Sequence, residues 1–321
     1  MGTLKLEDDT SRVNLEQVQY AHERISPIIR RSPLIWFEYE GVRVHLKLEN
    51  MQITGAFKIR GALNKMMSLS EEERRNGVVT ASAGNHGAGV AYSARHLNVS
   101  ATVFVPKFTP KEKVSRLQQY GATVVQVGDT WDESNAQAVE FSKKHHVVYI
   151  HPFADPDVIN GQGTIGIEMV EQCPKLDTVV AAVGGGGLIG GLSTTLKTLD
   201  PDIHVIGVEP DGAATLNESM ELGKIKRLEC VDTCAGSLAV QESDPLNFEL
   251  VRLYTDELLT VSDKETLNTV KWLWEEYSIA VEPSAAVALA AVLNKKIKLT
   301  KGQNIGIVIC GSGKDALNIE H

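Results

Sequence analysis

Short runs of β-branched and aliphatic residues alternate along this chain with longer segments whose apolar positions recur at helical spacing. Leu15, Val18, Ala21, Ile25 and Ile28 fall on one face of an amphipathic helix predicted over 14–29, which the Ser-Pro pair at 32–33 is expected to end. Residues 34–37 and 42–48 then alternate like the two strands of a hairpin. From Val78 onward, β runs at 78–82, 101–106, 123–127 and 147–152 enclose predicted helices near 88–97, 110–120 and 131–145. The second half repeats the theme with β runs at 178–183, 204–209, 258–263 and 304–310. Ser262 and Glu265 have the spacing of a capping box, opening a helix that carries Leu267, Val270, Trp274 and Tyr277.

Strands that alternate with helices predict parallel sheets covered on both faces. There are too many strands for one compact sheet, and they fall into two groups. The expected fold is therefore α/β, with two open parallel-sheet domains and a cleft between them. Ligands in such folds bind outside the carboxyl ends of the strands. Three turns at those ends hold unusual residues: Ser-Ala-Gly-Asn-His-Gly at 82–87, four glycines at 184–187, and Cys-Gly-Ser-Gly-Lys at 310–314.

Composition narrows the partners. A chain of 321 residues with 43% hydrophobic and 23% charged content has ample core. Its net charge of −9 argues against nucleic acid or an anionic membrane surface as a partner. The polar residues 1–9 lack the apolar stretch of a signal peptide, and no run approaches the roughly 18 apolar residues of a membrane span. The cytoplasm is the default compartment. Cys173, Cys230, Cys234 and Cys310 are too few for a disulfide scaffold, and Cys230-x3-Cys234 lacks the second ligand pair of a zinc site.

The glycine run follows a β run and precedes a helix, so its bare N–H groups and the helix macrodipole point at one spot. Glycine permits that approach because a Cβ would block it. Two readings stay open for the run alone. Gly185-x-Gly187-x-x-Gly190, with Glu209 ending the next strand, fits the dinucleotide fingerprint of an NAD-dependent oxidoreductase. A phosphorylated cofactor of another kind fits equally. Lys58 bears on the choice, because it stands between Phe57 and Ile59 at a predicted helix start. A desolvated ammonium there has a lowered pKa and becomes a usable nucleophile or base. A nucleophilic lysine beside a phosphate cradle points to a cofactor held both covalently and by its phosphate.

Five segments, TGAFKIRGA, SAGNHG, HPFADPDVINGQGTIG, VGGGGLIGG and VEPSAA, together resemble the threonine/serine dehydratases and serine racemases. These are fold-type II enzymes that depend on pyridoxal 5′-phosphate (PLP), and the match runs in order from about Asn14 to Asp315. The resemblance implies a large PLP-binding domain over 1–67 and 153–321, and a small domain over 68–152 that closes on the substrate. It implies that Lys58 bonds covalently to the cofactor, that Phe57 covers the ring, and that Asn85 bonds the 3′-hydroxyl. Gly184, Gly185, Gly186 and Gly187 would bind the phosphate, and Cys310 would face the ring nitrogen. Ser82, Ala83, Asn85 and His86 would seat the substrate carboxylate, His86 through its backbone.

The implied activity is β-elimination of a 3-hydroxy amino acid such as L-threonine or L-serine, with 3-hydroxyaspartate dehydration and serine racemisation as alternatives. Racemising relatives carry a second serine where this chain has Ala83, which favours elimination. The family's divalent-cation site would use Glu209 and the Ala213 carbonyl. Its third ligand position holds Thr215, so a Mg²⁺ or Ca²⁺ shell would need water to complete it. The segments 231–240 and 311–314 depart from the family pattern, and Lys314 or an arginine could face a second substrate carboxylate. Relatives form homodimers or homotetramers, and this chain is expected to do the same.

Overall fold

The computed structural model describes residue 6 and residues 9–313. The strands in chain order are β1 (Leu34–Tyr39), β2 (Val42–Leu48), β3 (Val78–Ala81), β4 (Ala101–Val105), β5 (Thr123–Gln126), β6 (Val148–Tyr149), β7 (Thr178–Ala182), β8 (His204–Pro210), β9 (Glu257–Val261) and β10 (Asn304–Ile309). They form two sheets, one ordered β1-β2-β10-β7-β8-β9 and the other β5-β4-β3-β6. All neighbours pair in parallel except β1 and β2. That hairpin has a local cause: Glu40 and Gly41 both adopt positive φ, 49° and 83°, as a two-residue turn with the right twist requires. The central strand β7 is buried along its whole length, as expected of a parallel strand covered on both faces.

Three expectations about element limits need correction. The first helix is Leu15–Ile25 and stops well before the Ser-Pro pair at 32–33. Pro27 ends it, because a proline has no N–H to continue the ladder. The run at 147–152 is strand only over Val148–Tyr149. Beyond it the His151 ring accepts hydrogen bonds from the Phe153 and Ala154 N–H groups and turns the chain inward. The helix expected from residue 88 begins earlier and spans Asn85–Leu97, so Asn85 and His86 lie in its first turn.

Sequence periodicity also missed the helix Pro156–Gln172, although it organises the molecule. It carries Gly161, Gly163 and Gly166, each of which costs a helix about 1 kcal/mol relative to alanine. Close packing explains them. A Cβ on Gly161 would lie 2.6 Å from the Arg60 carbonyl, and one on Gly191 would lie 2.3 Å from the Ile159 carbonyl. Helices Lys58–Ser68 and Gly187–Leu199 thus pack backbone to backbone on Pro156–Gln172. This stack fixes the starts of the lysine helix and the glycine-loop helix relative to each other.

A fully buried ionic cluster anchors the lysine helix. Arg60 bonds Glu49 at 2.8 Å and Glu168 at 2.8 and 2.9 Å, and Lys47 reaches Glu168, Gln172 and the Ser32 carbonyl. None of the four charged residues is more than 2% exposed. Two cations and two anions leave the cluster neutral, as burial demands. Among the described residues no helix is long and apolar enough to cross a membrane.

Candidate active site

Lys58 is the first residue of its helix, and the loop before it is stitched to the end of β10. Phe57 N–H donates to the Cys310 carbonyl at 3.1 Å, and Ser312 N–H donates to the Gly55 carbonyl at 2.8 Å. The chain thereby brings Lys58 and Cys310 together across 252 positions (310 − 58). The Lys58 ammonium donates to the Pro152 carbonyl at 2.7 Å and lies 5.2 Å from the centre of the Phe57 ring. The residue as a whole is only partly exposed. Burial lowers the Lys58 pKa to about 8, with Cys310 and Glu282 pulling weakly the other way. In the folded chain without cofactor, charging this amine is therefore costly below about pH 8. The cost is relieved as pH rises from there toward the ordinary lysine value of 10.5.

The glycine run follows β7 and opens the helix Gly187–Leu199, with Gly186 at φ 91°. Residues 184–187 are all buried, and no described residue accepts a hydrogen bond from their N–H groups. Their surroundings exclude side chains. A Cβ on Gly185 would lie 2.6 Å from the Phe153 ring, and one on Gly184 would lie 2.9 Å from Leu238 Cα. Asn247 holds the Gly185 and Phe153 carbonyls through its amide, at 2.7 and 3.0 Å, which turns the loop's donors away from them. Four buried, unaccepted donors at a helix start fit a phosphate group.

The turn after β3 makes a second seat of the same kind. The N–H groups of Ala83, Asn85 and His86 find no acceptor among the described residues, while Gly84 N–H bonds Ser82 Oγ at 3.3 Å. The His86 ring donates from Nε2 to the Ile150 carbonyl at 3.1 Å, which leaves Nδ1 as a buried acceptor without a partner. Burial, and then the nearby Lys58 charge, lower His86 to about 3 and His151 to about 4, so both rings are neutral. The Asn85 amide donates to Glu282 at 2.8 Å. Cys310 is 3% exposed, and burial, reinforced by Glu282, pushes its thiol far up, so it stays protonated.

Two residues of the expected cation region make hydrogen bonds within the chain. Glu209 is fully buried, and its carboxylate accepts from Leu216 N–H at 2.9 Å and Asn217 N–H at 2.7 Å, at the start of helix Thr215–Leu222. Burial raises its pKa to about 7 against those hydrogen bonds. Thr215 donates to the Val240 carbonyl. Glu209 thus faces N–H groups of its own chain, and no group of three or more His, Cys, Asp or Glu that could hold a metal ion lies together among the described residues. Its burial also sets it apart from a dinucleotide ribose. Lys314 lies outside the described residues.

Glu282, Asn247 and Phe153 were not singled out from sequence. The sequence signal for Glu282 was its place immediately before Pro283, which reads as a helix cap, and the structure shows that its side chain makes no cap bond there.

The chain matches the family model described as "Pyridoxal-phosphate dependent enzyme" over residues 25–311. The L-threonine ammonia-lyase of Thermotoga maritima is 40% identical over 312 residues, covering 96% of this chain and 77% of that protein. The structure of maize serine racemase matches with a TM-score of 0.91 at 32% identity, covering 95% of each chain. The processed threonine deaminase isoform 2 of Solanum lycopersicum matches with a TM-score of 0.90 at 36% identity, covering 97% of this chain and 85% of its own. A lysine of lowered pKa, a buried glycine turn whose N–H groups suit a phosphate, and a family match spanning nearly the whole fold agree: the chain belongs to the pyridoxal-phosphate dependent enzymes.

Proposed function

We propose that the protein is an ammonia-lyase that converts a 3-hydroxy amino acid such as L-threonine or L-serine into a 2-oxo acid and ammonia. The observation that carries this reading is Lys58, an amine of pKa about 8 held near two separate seats of unaccepted backbone N–H groups. PLP supplies the electron sink that acidifies the substrate's Cα–H. Residues 184–187 hold its phosphate, Asn85 its 3′-hydroxyl and Phe57 one face of its ring. The protonated Cys310 thiol meets the ring nitrogen. The N–H groups of Ala83, Asn85 and His86, with Ser82, take the substrate carboxylate. Lys58, whose lowered pKa leaves a usable neutral fraction near physiological pH, removes the α-proton. Residues 68–152 act as the small domain that closes over the substrate.

Ala83 decides between elimination and racemisation. Inverting Cα needs a proton donor on the face opposite the lysine, and a methyl group has none. The names of the relatives support the choice of substrate, since several are threonine ammonia-lyases or dehydratases. The test is 2-oxo acid release from L-threonine, L-serine and 3-hydroxyaspartate, with chiral analysis of recovered serine. Release from threonine or serine without D-serine is expected. Accumulating D-serine, or release from 3-hydroxyaspartate alone, would replace this reading with the corresponding alternative. A Gly185→Ala variant should bind PLP at least about tenfold more weakly, because its methyl collides with the Phe153 ring.

The lowered pKa carries a further expectation. The rate at which cofactor-stripped protein captures the PLP aldehyde should climb as pH rises through about 8, because only the neutral amine attacks. A climb centred near 10.5 would show a solvated lysine instead. A homodimer or homotetramer is proposed from the resemblance, with the exposed Trp36 and Trp274 as surface available for burial. The cytoplasm is the proposed compartment, supported by four free thiols.

A further inference from the structure

Glu282 is buried at the end of the cleft, where three separate parts of the chain meet. Its N–H donates to the Gly311 carbonyl at 3.2 Å, which ties it to the turn after β10. Its Oε1 accepts from Asn85 Nδ2 at 2.8 Å, and Asn85 lies 197 positions away in the turn after β3. The carboxylate is held in a slot that only glycine leaves open. A Cβ on Gly311 would lie 2.7 Å from Oε1, and one on Gly313 would lie 2.7 Å from Oε2. The Gly311 Cβ would also lie 3.1 Å from Asn85 Nδ2.

We propose that Glu282 is a positioning residue that fixes the Asn85 amide for the cofactor's 3′-oxygen and so joins the small sheet's substrate turn to the ring-nitrogen wall. The role rests on the reading of Asn85 given above. A carboxylate only accepts, so the amide must turn its NH₂ toward Glu282. One hydrogen of that nitrogen is then taken, and the other is left for an oxygen acceptor on the cofactor. With the amide reversed, Oδ1 would face both the carboxylate and the cofactor oxygen, and each contact would be repulsive. Because Asn85 opens the helix after β3 of the small sheet and Glu282 precedes a helix packed on the large sheet, the bond forms only when those two parts of the molecule are in register.

The test titrates full-length, cofactor-stripped protein with PLP and follows binding by fluorescence, for the parent, Glu282→Ala, Glu282→Gln, Asn85→Ala and the Asn85→Ala/Glu282→Ala pair. Glu282→Ala should weaken binding about tenfold, the usual effect of losing one charge-assisted hydrogen bond. Glu282→Gln keeps an acceptor and should stay within about threefold of the parent. In the Asn85→Ala background, removing Glu282 should cost less than about twofold, a coupling that a merely structural role would not produce. Should Glu282→Ala fail to fold, Glu282→Met fills the slot without an acceptor and takes its place. Parental binding by Glu282→Ala, or an undiminished loss in the Asn85→Ala background, overturns the proposal. Parental binding by Asn85→Ala alone would overturn the reading of Asn85 and this role with it. A parent that binds no PLP would instead fail the proposed function itself.

Discussion

Replacing Lys58 with alanine abolishes turnover: 2-oxo acid release from L-threonine falls by at least about a thousandfold, since one side chain supplies both the nucleophile and the base. The visible absorbance that arises when PLP is bound to the protein's amine disappears as well. The fold persists, because Lys58 takes no part in the buried ionic cluster and, among the described residues, its ammonium hydrogen-bonds only the Pro152 carbonyl. PLP still associates, more weakly, through residues 184–187, whose donors the substitution leaves in place. Retained turnover, or an unchanged visible band, would move the catalytic amine to another residue. A neighbouring Lys47 cannot substitute for it, since it is fully buried and bound to Glu168, Gln172 and the Ser32 carbonyl.

Arg60→Met has the largest expected effect on stability. Arg60 is 0% exposed and carries hydrogen bonds to both Glu49 and Glu168. Burial opposes its charge, but those two carboxylates outweigh burial and raise its pKa. Methionine fills similar volume and leaves Glu49 without its cation, while Glu168 keeps only Lys47. Breaking a buried pair in this way costs roughly 3–5 kcal/mol. For a protein of this size that is a fall in melting temperature of roughly ten degrees, read by calorimetry on the cofactor-free chain. A fall of about a degree would mean that the cluster relaxes or admits water. The cluster should also weaken in acid. Burial would raise the Glu168 pKa, but Arg60 and Lys47 lower it below the ordinary 4.5. Its contribution is therefore complete above that value and is lost as pH falls through the lowered one.

The parallel strands and the two turns with unaccepted N–H groups, at 82–87 and 184–187, were legible in the sequence because each is local. A run of β-branched residues ending in glycine needs no distant partner to be recognised. Helix 156–172 was hidden because its glycines lower helix propensity, and they are explained by distant parts of the chain pressed against them: the Arg60 and Gly191 backbones and the Thr195 side chain. Pairing across the chain was equally invisible: Lys47 and Glu168 are 121 positions apart, and Asn85 and Glu282 are 197 apart. Glu209 shows the other side of this. An acid at a strand end suited both a cation site and a ribose contact, and nothing in the sequence showed that its carboxylate also accepts from the first turn of the next helix inside the core. The role proposed for Lys58 comes from its neighbours and from the family resemblance, whereas what sets its pKa, burial beside Cys310 and Glu282, depends on the turns that fold over it.

The central claim is that Lys58 carries the cofactor. Borohydride reduction of the PLP-loaded protein fixes the cofactor to whichever amine holds it, and peptide mass spectrometry then locates that amine. One phosphopyridoxyl group on the peptide containing Lys58 is the predicted result. A label on any other lysine, or none at all, would contradict the account.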